Sequence, residues 1–101
     1  TIPVAVGAAF STKMKGKDNV VVSFLGDGAT EEGVFHESIN FAKLKGLPIL
    51  FFCENNQYSV YTHLRDRQPK RSITSITQSH GIESYFINGN DPVEVHNVVK
   101  E

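Results

Sequence analysis

The sequence predicts an α/β fold of the Rossmann-like kind, a mainly parallel sheet flanked by helices. Two short runs, Val20-Val21-Val22-Ser23-Phe24-Leu25 and Ile49-Leu50-Phe51-Phe52-Cys53, are almost wholly β-branched, aliphatic or aromatic. Runs that are apolar on both faces suit strands buried inside a parallel sheet. Between them Phe35, Ile39 and Ala42 recur at helical spacing and form one stripe. A strand, a helix of about fifteen residues and a second strand make a right-handed βαβ unit.

The elements follow in order along the chain. Pro3 sits where a first helical turn tolerates it, and Val4, Ala5, Val6, Ala8, Ala9 and Phe10 continue a helix expected to reach Lys15 and stop at Gly16. The first strand is expected over Asn19 to Leu25, ending in the turn Gly26-Asp27-Gly28. The next helix is expected from Thr30 as N-cap, with Glu31 and Glu32 in its first turn. Phe41 and Leu44 widen its apolar stripe, Lys43 and Lys45 lie in its last turn, and Gly46 ends it. Pro48 then admits the second strand. Residues 61 to 72 read as irregular, with Arg65, Arg67, Lys70 and Arg71 crowded around Pro69. A third helix is expected from Ile73 to His80, a short third strand from Ser84 to Ile87, a turn at Asn88-Gly89-Asn90-Asp91, and a last helix from Pro92 with Val95, Val98 and Val99 facing inward.

Composition narrows the function classes. Ten Lys and Arg stand against eleven Asp and Glu, a net charge of −1. Phosphate-backbone binding needs a basic excess, so nucleic acid is not the expected partner. Nothing approaches the roughly 18 consecutive apolar residues of a membrane span, and no membrane is expected. The single Cys53 forms no internal disulfide and suits a reducing compartment. No charged leader precedes an apolar run at the start, so no signal peptide is expected. The chain opens on Thr1 and stops at Val98-Val99-Lys100-Glu101 inside a helical pattern. It therefore reads as one piece, residues 1–101, of a larger domain.

Asp27 stands just past the carboxyl end of a buried strand, where open parallel sheets bind their ligands. Gly26 and Gly28 allow close backbone approach. A helix N-terminus is expected nearby, and its free N–H groups attract anions, most often phosphate. The second strand ends in Glu54-Asn55-Asn56 at the same sheet edge. A carboxylate and an amide oxygen side by side, with a phosphate between them, suit magnesium, a hard cation that takes oxygen ligands. A lone Gly-Asp-Gly is a common turn. The specific feature is Gly26-Asp27-Gly28 followed, after 26 residues, by Asn55-Asn56.

That pairing resembles the thiamine diphosphate motif, and the similarity extends further. Gly26-Asp27-Gly28-Ala29-Thr30-Glu31-Glu32-Gly33, Phe35-His36-Glu37-Ser38-Ile39-Asn40 and Phe52-Cys53-Glu54-Asn55-Asn56-Gln57-Tyr58 look like the alpha subunit of the 2-oxo acid dehydrogenases, a family that includes the pyruvate, branched-chain and acetoin enzymes. The opening Ile2-Pro3-Val4-Ala5-Val6-Gly7-Ala8-Ala9 and the later Ile87-Asn88-Gly89-Asn90-Asp91-Pro92-Val93 are similar to segments of the same subunit. The resemblance spans nearly the whole chain but only about the middle third of such a subunit. It implies a partial thiamine diphosphate-binding fold in which Asp27 and Asn56 bind Mg2+ through side chains and Tyr58 through its backbone carbonyl. Gly28, Ala29 and the helix start would contact the diphosphate. The implied reaction is oxidative decarboxylation of a 2-oxo acid with acyl transfer to a lipoyl group, the cofactor supplying the chemistry.

The resemblance implies no catalytic residue in this chain, because the family's activating glutamate belongs to the beta subunit. Implied partners are that beta subunit, in a heterotetramer of two alpha and two beta chains, and a lipoyl-bearing acyltransferase. The implied compartment is the cytoplasm, or the mitochondrial matrix in a eukaryote. One departure is Ser59, where the family more often has Gly or Ala.

Other eye-catching residues have plainer readings. His36 and Glu37 suit a helix surface or an interface, and Glu31 and Glu32 favour a helix dipole. His63 reads as a solvated loop residue, His80 and His96 as surface residues without metal-ligand spacing, and Cys53 as a small buried hydrophobe. The basic cluster is either a solvated loop or a contact for an acidic substrate or the beta subunit. Two other functions compete. A magnesium phosphohydrolase would want a second acidic ligand or nucleophile, where Asn55-Asn56 offers amides. A non-catalytic truncated or assembly module would keep the same fold.

Overall fold

The computed structural model describes residues 1–59, 62–69 and 72–100, and of residues 58, 59, 62, 64 and 100 the backbone alone. Helix α1 (Ile2–Met14) leads into strand β1 (Val21–Gly26), a 3₁₀ turn (Asp27–Glu31), helix α2 (Gly33–Lys45) and strand β2 (Ile49–Glu54). A small hairpin of β3 (Tyr58–Ser59) and β4 (Thr62–His63) follows, then α3 (Leu64–Arg67), α4 (Ile73–Ser79) and α5 (Pro92–Lys100). β1 and β2 pair in parallel, from Val21 opposite Ile49 to Gly26 opposite Glu54. The expected βαβ unit is thus present, and helices flank its sheet.

One face of the sheet holds the core. Ile2, Leu25, Phe35 and Ile39 form a buried cluster, with Ala29, Phe51, Cys53, Ile76 and Ile82 packed against it. Ile2, Val6 and Ala9 are the buried stripe of α1, and Phe35, Ile39 and Ala42 that of α2. α2 ends as expected. Gly46 takes the left-handed conformation at φ 59°, which a residue without Cβ adopts cheaply, and Leu47 N–H then donates to the Ala42 carbonyl at 3.0 Å.

The other face of the sheet is more open. Val22 and Phe24 are 46% and 61% exposed, so the Val22 side chain points away from α2. With Leu50 and Phe52 they line a groove that α5 flanks through Pro92, Val95 and Val99, and the Phe24 and Phe52 rings sit 5.2 Å apart.

Four expectations are corrected. Thr30 is not an N-cap. The chain first makes a 3₁₀ turn, and α2 begins at Gly33 after Glu32, so Glu31 and Glu32 lie before the helix. The cause is local: the buried Thr30 hydroxyl donates to the Asp27 carbonyl at 2.6 Å, which closes the tighter turn. Leu44 is 74% exposed and does not join the α2 stripe, while Phe41 packs its ring on Phe10 at 5.6 Å. Ser84 to Ile87 is not a strand. The Ser84 hydroxyl bonds instead to Thr77 Oγ1 and the Ile82 carbonyl, holding the segment to α4. Finally, Cys53 is half-buried rather than enclosed.

Candidate functional site

The parallel register decides where the polar turns meet. Gly26 and Glu54 are the last paired residues of β1 and β2. Asp27 and the Asn55-Asn56 pair therefore leave neighbouring strands at the same carboxyl edge, where such sheets bind ligands. After β2 the chain turns sharply. Asn55 Oδ1 accepts the Gln57 N–H at 3.2 Å, and Gln57 lies at φ 68°. This left-handed residue turns the chain into β3, and Tyr58 is its first residue, so its backbone leaves the same edge. Gly26 itself has φ −88° and ψ 167°, extended backbone open to any residue. A Cβ added there would meet nothing within 4 Å. What glycine provides is a bare approach, and Gly26, Ala29 and Glu32 border a 370 Å³ cleft beside the turn.

Asp27 is fully buried, at 0% exposure. Its cover comes from farther along the chain. Arg67, at the end of α3, donates from Nη2 to Asp27 Oδ2 at 2.6 Å and from Nη1 to Glu31 Oε2. The next residue, Gln68, is also buried; its Nε2 donates to Glu31 Oε2 at 2.8 Å and to Thr30 Oγ1 at 3.4 Å. The basic cluster thus divides. Arg67 is an ion-pair partner of the turn, Arg65 is exposed, and Lys70 and Arg71 lie outside the described residues.

The second oxygen of Asp27 is the outstanding feature. Oδ1 is buried and has no hydrogen-bond partner among the described residues. A buried anionic oxygen without a donor costs free energy comparable to the loss of a charged hydrogen bond, so a cation ligand would be favoured there. Among the described residues no three His, Cys, Asp or Glu side chains gather as a metal cage. Any cation at Asp27 would draw its remaining ligands from amide oxygens, backbone carbonyls, water or a bound phosphate. That donor set fits Mg2+, which usually takes one or two carboxylates plus phosphate oxygens.

Cys53, the last-but-one residue of β2, lies within the field of the same carboxylate. Its thiol is pushed up to about 11, first by burial and then by the negative charges of Asp27 and Glu54. It is an unreactive thiol rather than a nucleophile. The rings of His36 and His80 are 6.1 Å apart between α2 and the end of α4. His63 Nδ1 accepts the Arg65 N–H at 3.1 Å, and His96 is exposed beside the groove on the other sheet face. Sequence reasoning missed Arg67 and Gln68 as neighbours of Asp27. The available signal was a basic cluster some forty residues after an acidic turn, which does not say which arginine folds back.

A parallel βαβ unit with its polar turns gathered at the carboxyl edge makes the chain a partial α/β, Rossmann-like fold. The family described as "Dehydrogenase E1 component" matches residues 1–101, and the chain belongs to that family. It is 37% identical over 99 residues to "2-oxoisovalerate dehydrogenase subunit alpha 1, mitochondrial" of Arabidopsis thaliana, a match covering 98% of this chain and 21% of that protein. It is 37% identical over 100 residues to "2-oxoisovalerate dehydrogenase subunit alpha" of Bacillus subtilis (strain 168), covering 99% and 30%. The same identity over 100 residues relates it to "Pyruvate dehydrogenase E1 component subunit alpha" of Rickettsia bellii (strain RML369-C), covering 99% and 31%. The chain therefore spans a fifth to a third of the length of these relatives. No helix among the described residues is long and apolar enough to cross a membrane.

Proposed function

We propose that this chain is the diphosphate- and magnesium-anchoring part of a thiamine diphosphate-dependent 2-oxo acid dehydrogenase alpha subunit, with residues 1–101 one segment of its cofactor-binding domain. The observation that carries the reading is the buried Asp27 Oδ1, without a hydrogen-bond partner among the described residues, at the sheet edge from which Asn55-Asn56 also departs. Asp27 and Asn56 hold Mg2+ through side-chain oxygens and Tyr58 through its backbone carbonyl. Gly28 and Ala29 would contact the diphosphate, whose negative charge Mg2+ would balance. When bound, thiamine diphosphate supplies the electron sink for decarboxylation of a 2-oxo acid.

The chain's own residues bind and orient rather than react. The core cluster around Leu25 and Ile39 fixes the carboxyl ends of β1 and β2, so the two halves of the site keep their spacing. The beta subunit completes the active centre in an α2β2 heterotetramer, and the acyl group passes to a lipoyl-bearing acyltransferase. The relatives' names place the reaction in a mitochondrion for the plant protein; for this chain the reading is cytoplasm, or matrix in a eukaryote.

One observation favours a second reading, a non-catalytic module of the same fold: Arg67 already neutralises one Asp27 oxygen, as a structural ion pair would. Turnover separates the two. The full-length protein with its beta subunit, Mg2+ and thiamine diphosphate should decarboxylate at least one of pyruvate and the branched-chain 2-oxo acids. Absence of carbon dioxide release across that panel, with cofactor bound, would favour the non-catalytic module.

A further inference from the structure

Asp27 supplies the one carboxylate among the metal ligands of the proposed function, and it is fully buried. Its cover is specific. Arg67 lies on Oδ2 at 2.6 Å and is tied in turn to Glu31, while Gln68, 8% exposed, spans Glu31 and Thr30. The three residues so engaged, Asp27, Thr30 and Glu31, all belong to the 3₁₀ turn, the segment a diphosphate would approach. A cation and the Arg67 guanidinium are like charges that draw on the same carboxylate, so each weakens the other's hold on it.

We propose that Arg67 and Gln68 form a latch over the metal-binding turn: Mg2+ with thiamine diphosphate and the Arg67 guanidinium compete for Asp27, and the end of α3 moves aside when the cofactor binds. The inference rests on the proposed function, since it takes Asp27 as the metal ligand. The latch stabilises the buried carboxylate whenever metal is absent, because a buried charge without a partner is costly. It also sets the cofactor affinity. The apparent dissociation constant equals the intrinsic one divided by the fraction of molecules with the latch open, so an open fraction of about one tenth weakens binding about tenfold. The contact is therefore autoinhibitory at a site built from other residues.

The test is a calorimetric titration of Mg2+ at saturating thiamine diphosphate, on the full-length protein with its beta subunit, for wild type, Arg67→Met and Glu31→Gln. Arg67→Met removes the competing charge and keeps an unbranched stem as far as the Nε position. Glu31→Gln loosens the second anchor of Arg67 and leaves Asp27 untouched, so it serves if Arg67→Met does not fold. The latch requires Mg2+ to bind about tenfold or more tightly in Arg67→Met and severalfold more tightly in Glu31→Gln. A thermal melt without metal should show Arg67→Met below wild type, and saturating Mg2+ with thiamine diphosphate should close that gap. Unchanged or weaker Mg2+ binding in the folded variants overturns the latch, weaker binding making Arg67 a residue that positions Asp27. If wild type and both variants alike fail to bind Mg2+ with thiamine diphosphate, the proposed function falls and the latch with it.

Discussion

Replacing Ile39 with alanine tests whether the α2 stripe fixes the site. Ile39 is at 0% exposure and lies in the cluster with Ile2, Leu25 and Phe35, packed by Phe51 and Cys53. The substitution removes three carbon atoms, worth roughly 0.8 kcal/mol each in lost transfer free energy, or about 2.4 kcal/mol. A residual cavity of roughly 50 Å³ adds about 1.2 kcal/mol at about 24 cal/mol per Å³. The expected cost is therefore about 3.5 kcal/mol, a large share of a typical domain's stability. Equilibrium urea unfolding of wild type and Ile39→Ala measures it, with the midpoint falling and the slope unchanged. A loss below about 0.5 kcal/mol would put Ile39 in the range of surface substitutions, and the packing that aligns β1 with β2 would have to be sought elsewhere.

The Cys53 thiol, raised from its ordinary 9.0 to about 11, should resist iodoacetamide at pH 8 in the folded protein and react normally once unfolded. A folded value above the unfolded one means the folded state keeps its proton longer. This contribution to stability is fully present below pH 9 and is lost as pH rises from 9 toward 11, which denaturant melts in wild type and Cys53→Ala would resolve. The 101-residue chain alone should release no carbon dioxide from any 2-oxo acid above a cofactor-only blank, because the proposed function has the active centre shared with a beta subunit. Turnover by the isolated chain would overturn that sharing.

The sequence carried the βαβ unit because each of its elements is locally consistent. Both strand runs are apolar, the Phe35, Ile39 and Ala42 stripe has a single period, and Gly46 is a stop that only the left-handed region explains. The two halves of the candidate site were legible for the same reason, since parallel pairing brings the ends of β1 and β2 to one edge. Less legible was what a few hydrogen bonds decide. Thr30 reads equally well as an N-cap or as a turn hydroxyl, and its bond to the Asp27 carbonyl selects the turn. Ser84 to Ile87 has strand-like composition, but the Ser84 hydroxyl holds it to Thr77. The burial of Asp27 was not legible, because it depends on Arg67, forty residues later, folding back across the turn. Four basic residues stand close together there, and nothing in their order distinguishes the one that reaches the carboxylate.

The most direct measurement is cofactor binding by Asp27→Asn in the full-length protein with its beta subunit. Asparagine keeps the size of the side chain and one carbonyl oxygen, and it removes the charge that a hard cation needs. Because Asp27 is buried against Arg67, the metal-free variant should also melt below wild type, so titration is run where both are folded. Calorimetric titration of thiamine diphosphate with and without Mg2+ should show Mg2+-dependent binding in wild type and none in Asp27→Asn. Binding by the variant within about threefold of wild type, a difference below roughly 0.7 kcal/mol, would mean that Asp27 holds no metal, contradicting the proposed role of this chain.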